Sequence, residues 1–188
     1  MKQLLQTLAF ATLITVGAQA SEHETATKEH KDFYVAAKAL VTLGDEVKHE
    51  ESTLDGGVGK GVGVDIGYRV SHNFAVEIDM TYANSDVTEI DAQGEKEDVT
   101  GKYITSSLDV VYMYHAMHDL GLFVKGGIEY EVENIDALDI EQTEVGVIYA
   151  LGGEYEISHH SALILEYEGS TIEGPRGSTV LAGMVYSF

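Results

Sequence analysis

Charged side chains recur at alternate positions inside otherwise apolar stretches of this 188-residue chain. Lys38, Asp65, Arg69, Glu77, Asp79, Asp109, Lys125 and Glu129 each sit one residue away from Val, Ile, Leu, Ala or Tyr on the other parity. Three cations among many carboxylates can form compensated buried ion pairs, or a wet acidic path that favours cations. Further acids of the same parity are Glu131, Glu144, Glu154, Glu166 and Glu168. Other sequence features suggest chemistry and fail on spacing. Gly57-Val-Gly-Lys-Gly-Val-Gly63 has Leu54 where a phosphate-binding loop needs its first glycine, and Gly61 where it needs Ser or Thr. His159-His160-Ser161 offers an imidazole beside a hydroxyl, the raw material of a nucleophile. His72, His115, His118, His159 and His160 cluster at short polar breaks, where they are read as solvated turn residues before metal ligands. Without cysteine the chain has neither disulfides nor thiolate metal sites. The acidic stretches lack the spacing of a dedicated calcium loop, so no cofactor or metal is expected.

Period-two alternation requires extended strands, since only in a strand do successive side chains point to opposite faces. Phe33 to Leu43, Val62 to Val70, Phe74 to Tyr82, Ile104 to Tyr114, Leu120 to Val132, Val145 to Tyr155, Leu163 to Tyr167 and Val180 to Phe188 each carry one apolar face. The last reads Val180, Ala182, Met184, Tyr186, Phe188 outward, with Gly183 and Ser187 opposed. Eight strands of roughly nine to eleven residues match the length a tilted strand needs to cross a bilayer. The breaks alternate: short near 71–73, 116–119 and 158–161, long and acidic near 44–58, 84–102, 133–143 and 169–178. Outer-membrane barrels have short periplasmic turns, longer extracellular loops and both termini in the periplasm.

Met1-Lys-Gln3, an apolar run from Leu4 to Ala18 and the small-x-small site Ala18-Gln-Ala20 describe a secretory signal peptide over 1–20. Residues 21–32 read as a flexible periplasmic leader and 33–188 as the barrel. Cleavage removes Lys2 and no acid, taking the formal net charge from −21 to −22. Such a chain repels nucleic acid. Of 11 tyrosines, all but Tyr34 and Tyr103 fall on the apolar faces, mostly near strand ends. Tyr68, Tyr112, Tyr114, Tyr155 and Tyr186 make one aromatic girdle and Tyr82, Tyr130 and Tyr167 another, each holding phenol hydroxyls at headgroup level and rings in the acyl region.

With these features the chain from Phe33 to Phe188 resembles the small eight-stranded outer-membrane barrels of the OmpA, OmpX and opacity-protein type. The resemblance implies an all-β, eight-stranded antiparallel transmembrane β-barrel in the Gram-negative outer membrane. Its partners would be membrane lipid and lipopolysaccharide, and the barrel-assembly machinery, which in that family reads a final strand like the one bearing Tyr186 and Phe188. A monomeric, non-enzymatic surface or structural role is expected, with a narrow cation-preferring pore as the alternative. His159-His160-Ser161 is also reminiscent of the His-x-Ser element of lipid A deacylase barrels, but the topology puts it in a periplasmic turn, away from the outer leaflet.

Overall fold

A computed structural model describes residues 33–49 and 52–188. The expected signal peptide (1–20) and leader (21–32) lie outside the described residues. Nine strands follow in order: β1 Phe33–Thr42, β2 Glu46–His49, β3 Ser52–Arg69, β4 Phe74–Ile90, β5 Lys96–His115, β6 Leu120–Ile135, β7 Ile140–Ser158, β8 Ser161–Ser170 and β9 Thr179–Ser187. Consecutive strands from β3 to β9 pair antiparallel, β9 pairs with β1, and β1 pairs with β3. Eight strands thus close a ring, and β2 is a short spur on the outer end of β3. Closure removes the free sheet edges that a membrane interior cannot satisfy.

Alternation sorts the side chains. Val62, Val64, Ile66, Ile78, Met80, Val110, Leu122, Val124, Ile128, Leu151 and Leu165 are exposed on the outside of the ring. Tyr34, Ala36, Ala75, Val111, Phe123, Ile164 and Val185 are buried inside it, near the short turns. An apolar exterior around a packed interior inverts a soluble barrel and suits lipid as the surrounding solvent.

The strands are longer than their apolar faces. Those read as loops at 84–102 and 133–143 are largely strand: β4 runs to Ile90, β5 starts at Lys96, and β6 and β7 meet across a single 3₁₀ turn, Asp136–Leu138. The 44–58 stretch likewise contains β2 and the first residues of β3. These segments read as loops because, beyond the apolar band, their residues are mostly polar on both faces of the strand. On β4 residues 83–90 lie beyond the apolar face, roughly 26 Å of strand at ~3.3 Å per residue. Inside this extension Leu54, Val87, Val99 and Ile135 form their own buried cluster, with Val47, Leu138 and Ile140 packed against it.

Two glycines are placed by close approach. The Tyr34 ring lies across Gly67, where a Cβ would fall 2.0 Å from its Cζ. Gly56, beside the Gly56/Gly59 register shift of β3, meets the Pro175 carbonyl, 1.7 Å from a would-be Cβ. Gly67→Val should therefore push Tyr34 off its seat and destabilise the barrel by about 1–3 kcal/mol, the usual cost of overpacking. The urea midpoint of the refolded protein measures this, and an unchanged midpoint would contradict it.

Candidate functional site

The ring gathers most of the alternating charges into one tier. Lys38, from the middle of β1, places its Nζ 2.7 Å from Asp79, 2.8 Å from Asp65 and 3.2 Å from Glu166. Lys125, from β6 across the ring, reaches Glu77 at 2.6 Å, Glu166 at 3.0 Å and Asp65 at 3.6 Å. Asp65 and Glu166 are shared between the two ammonium groups, so five strands are tied at one level. The Lys38, Asp65 and Glu166 side chains have no solvent exposure. Glu77 also accepts the Tyr34 hydroxyl, and Asp109 accepts the Ser107 hydroxyl beside this tier.

Arg69 stands apart. It lies at the short-turn end of β3, half-buried, with its Nη2 3.6 Å from Glu154, its Nη1 donating to Ser187 Oγ at 2.9 Å, and its guanidinium 4.4 Å from the Tyr34 ring centre. Glu129 belongs to a second tier nearer the long-strand end, around a cation that alternation does not reveal. Arg176, in the connection between β8 and β9, donates to Glu129 at 2.8 Å and lies 2.8 Å from Glu131 and 3.8 Å from Glu168. Burial opposes its charged form, but Glu131, Glu129 and Glu168 outweigh that and hold the guanidinium above its ordinary pKa. Its fork geometry suits two carboxylates at once. The connection is folded inward by backbone hydrogen bonds from Leu43 to Ser178 (2.8 Å), Gly44 to Arg176 (3.1 Å) and Asp45 to Pro175 (3.2 Å). The one available signal is a single cation in Gly174-Pro-Arg-Gly177, following a strand that carries Glu166 and Glu168. Glu144, grouped with the interior acids by parity, is exposed at the long-strand rim, because β7 extends beyond β8 there.

The girdle tyrosines Tyr82, Tyr112, Tyr114, Tyr130, Tyr155, Tyr167 and Tyr186 are exposed on the outer wall, and Tyr68 is half-covered by Phe33, ring centres 4.8 Å apart. Phe188 stands edge-on to Tyr186 at 5.2 Å, and its N–H donates to the Phe33 carbonyl at 3.0 Å, joining the last residue to the first strand. His72 and His115 stack at 4.2 Å, and the His160 ring Nδ1 lies 3.1 Å from the Ser187 carbonyl. Among the described residues no group of three or more His, Cys, Asp or Glu is placed to hold a metal.

Similar architecture occurs in solved outer-membrane proteins. OprG from Pseudomonas aeruginosa is 14% identical, with 84% of this chain and 95% of that one covered at a TM-score of 0.66. Neisserial surface protein A is 16% identical over 83% of this chain and 97% of its own, TM-score 0.58. Ail, the attachment invasion locus protein of Yersinia pestis, is 13% identical over 84% and 97%, TM-score 0.52. At these identities the likeness shows the fold. Comparison with curated protein sequences finds no match. The outer membrane protein beta-barrel domain matches residues 7–188, nearly the whole chain, and the protein therefore belongs to that family of outer-membrane barrels.

Proposed function

We propose that this protein is a sealed, non-enzymatic outer-membrane barrel whose working part is the acidic sheet extension on the cell surface. The observation that carries this reading is the closed interior: Lys38, Asp65, Glu129 and Glu166 lie at 0–3% exposure, with an ionic tier and a separate Arg176 tier stacked across the lumen. An eight-stranded barrel is just wide enough for its own side chains to fill. On this reading residues 1–20 direct export in a Gram-negative cell and are removed. The strand ending in Tyr186 and Phe188 engages the assembly machinery, and single copies sit among lipid and lipopolysaccharide. Ail, an attachment invasion locus protein, and Neisserial surface protein A share this fold, in keeping with a surface role.

Purified, refolded protein in planar bilayers should give no current above leak. Resolvable cation-selective steps that fall when Asp79 and Asp109 become Asn would replace the sealed reading with the pore. The lipid A deacylase reading gains nothing from the geometry, since Ser161 and His160 sit beside Ser187, at the end that holds Phe33 and Phe188.

A further inference from the structure

The sheet extension is not closed. The β6–β7 ladder continues outward to Ile135↔Ile140, but β7 pairs with β8 only from Ile148↔Ser170 onward. Residues 140–147 of β7 therefore have a strand on one side only. Val147 shows which way the open side faces: its N–H donates to Thr171 Oγ1 and its carbonyl accepts from the Thr171 N–H, both at 2.9 Å. Backbone groups alternate along a strand, so Val145, Thr143 and Glu141 turn their N–H and C=O to the same side as Val147. Glu141, Thr143, Glu144 and Val145 are all exposed.

Natural sheets guard such an edge with Pro, Lys, a bulge or a very short strand. The other edge of the extension, β2, is only four residues long and carries Lys48. The β7 segment Ile140-Glu-Gln-Thr-Glu-Val-Gly-Val147 has no Pro and no Lys, and it keeps unbroken register with β6. Its surroundings are acidic. Glu141 and Glu144 lie on the edge strand itself, and Glu131, Glu133, Gln142, Glu144 and Glu173 gather around Ile172 at its inner side. The nearby cation Lys102 is engaged by Asp136 at 2.6 Å.

We propose that residues 141–145 of β7 are a docking edge for an extended, Lys- or Arg-rich polypeptide segment, which adds as a further strand. The backbone of the open edge supplies the ladder, and Glu141 outside and Glu144 inside take cationic side chains of alternate parity. A second copy of this chain is the poorer occupant: antiparallel self-pairing about Thr143 would gather Glu141 and Glu144 of both copies. The proposal rests on the surface reading and names the partner class for it.

The test uses the full mature protein in lipid nanodiscs and a fluorescent octapeptide, Val-Lys-Lys-Val-Val-Lys-Lys-Val, which carries lysine on both faces of an added strand. Binding by anisotropy is expected, weakening about tenfold for Thr143→Pro. That variant removes only the outward N–H and is tolerated at a sheet edge, where the ring faces no ladder. Glu141→Gln/Glu144→Gln should weaken binding several-fold and flatten its salt dependence. The same peptide N-methylated at alternate amides should not bind, and this comparison on the native protein decides the matter if Thr143→Pro does not fold, as judged by equal gel migration with and without boiling. No binding of the plain peptide, or equal binding of the N-methylated one, overturns the docking edge. Failure of the surface reading is seen separately, as bilayer current through the native barrel.

Discussion

Lys125→Met should lower the stability of the refolded barrel by about 3–5 kcal/mol, the range found when one member of a buried ion pair is removed and its partner left behind. Methionine fills much the same volume, so cavity formation contributes little and the loss reads the charge. Glu77 at 2.6 Å loses its cation outright, while Glu166 at 3.0 Å and Asp65 at 3.6 Å lose one of two and keep only their share of Lys38. Lys38 cannot replace it, being already shared among Asp79, Asp65 and Glu166. Adding Glu77→Gln to Lys125→Met should restore a large part of the loss, because it removes the carboxylate left most directly unpartnered. The surface supplies a control. Lys102 and Asp136 lie 2.6 Å apart in open solvent, and Asp136 raises the Lys102 pKa by hydrogen bond and charge. Even so, Lys102→Met should leave the urea midpoint unchanged, as exposed pairs are screened by water and salt. Equal midpoints for Lys125→Met and the native protein would mean that the tier is decoration on a barrel held by its backbone ladder.

The tier was readable in the sequence because lipid enforces contrast. Each membrane-spanning residue faces either hydrocarbon or the interior, so Lys38 between Ala37 and Ala39, or Lys125 beside Val124, marks itself as inward. Sequence parity could place these groups on one side of the wall, yet it could not say which share a level. That depends on the stagger of pairing around the ring, for example Asp65↔Asp79 across β3 and β4. Above the lipid band the contrast disappears. Val87 and Val99 are exact cross-strand partners and bury with Leu54 and Ile135, but each is a lone apolar residue in a polar stretch, and such stretches read as loops. Arg176 escaped for a related reason: a residue between strands has no parity, and only the hydrogen bonds that fold its connection inward bring it to Glu129.

Arg176→Ala should expose the β8–β9 connection to protease by about 10–100-fold, the factor corresponding to ~1.5–3 kcal/mol for charge-assisted hydrogen bonds. The guanidinium is what makes the inward position of this connection favourable. Without it, Glu129, Glu131 and Glu168 face one another with no cation, and the three backbone hydrogen bonds to residues 43–45 must hold the segment alone. Glu173 lies exposed in this connection, so a glutamate-specific protease acting on proteoliposomes can report its release through a cut after residue 173, identified by fragment mass. Arg176→Lys should fall between, since an ammonium cannot bridge two carboxylates as a fork does. Indistinguishable cutting of Arg176→Ala and native protein would show that the backbone contacts suffice. Loss of this tier is not expected to produce current, because Lys38 and Lys125 still close the lumen one level below. The barrel has two electrostatic closures with separate work: the lower ties five strands at one level, and the upper holds the β8–β9 connection inward at the long-strand end.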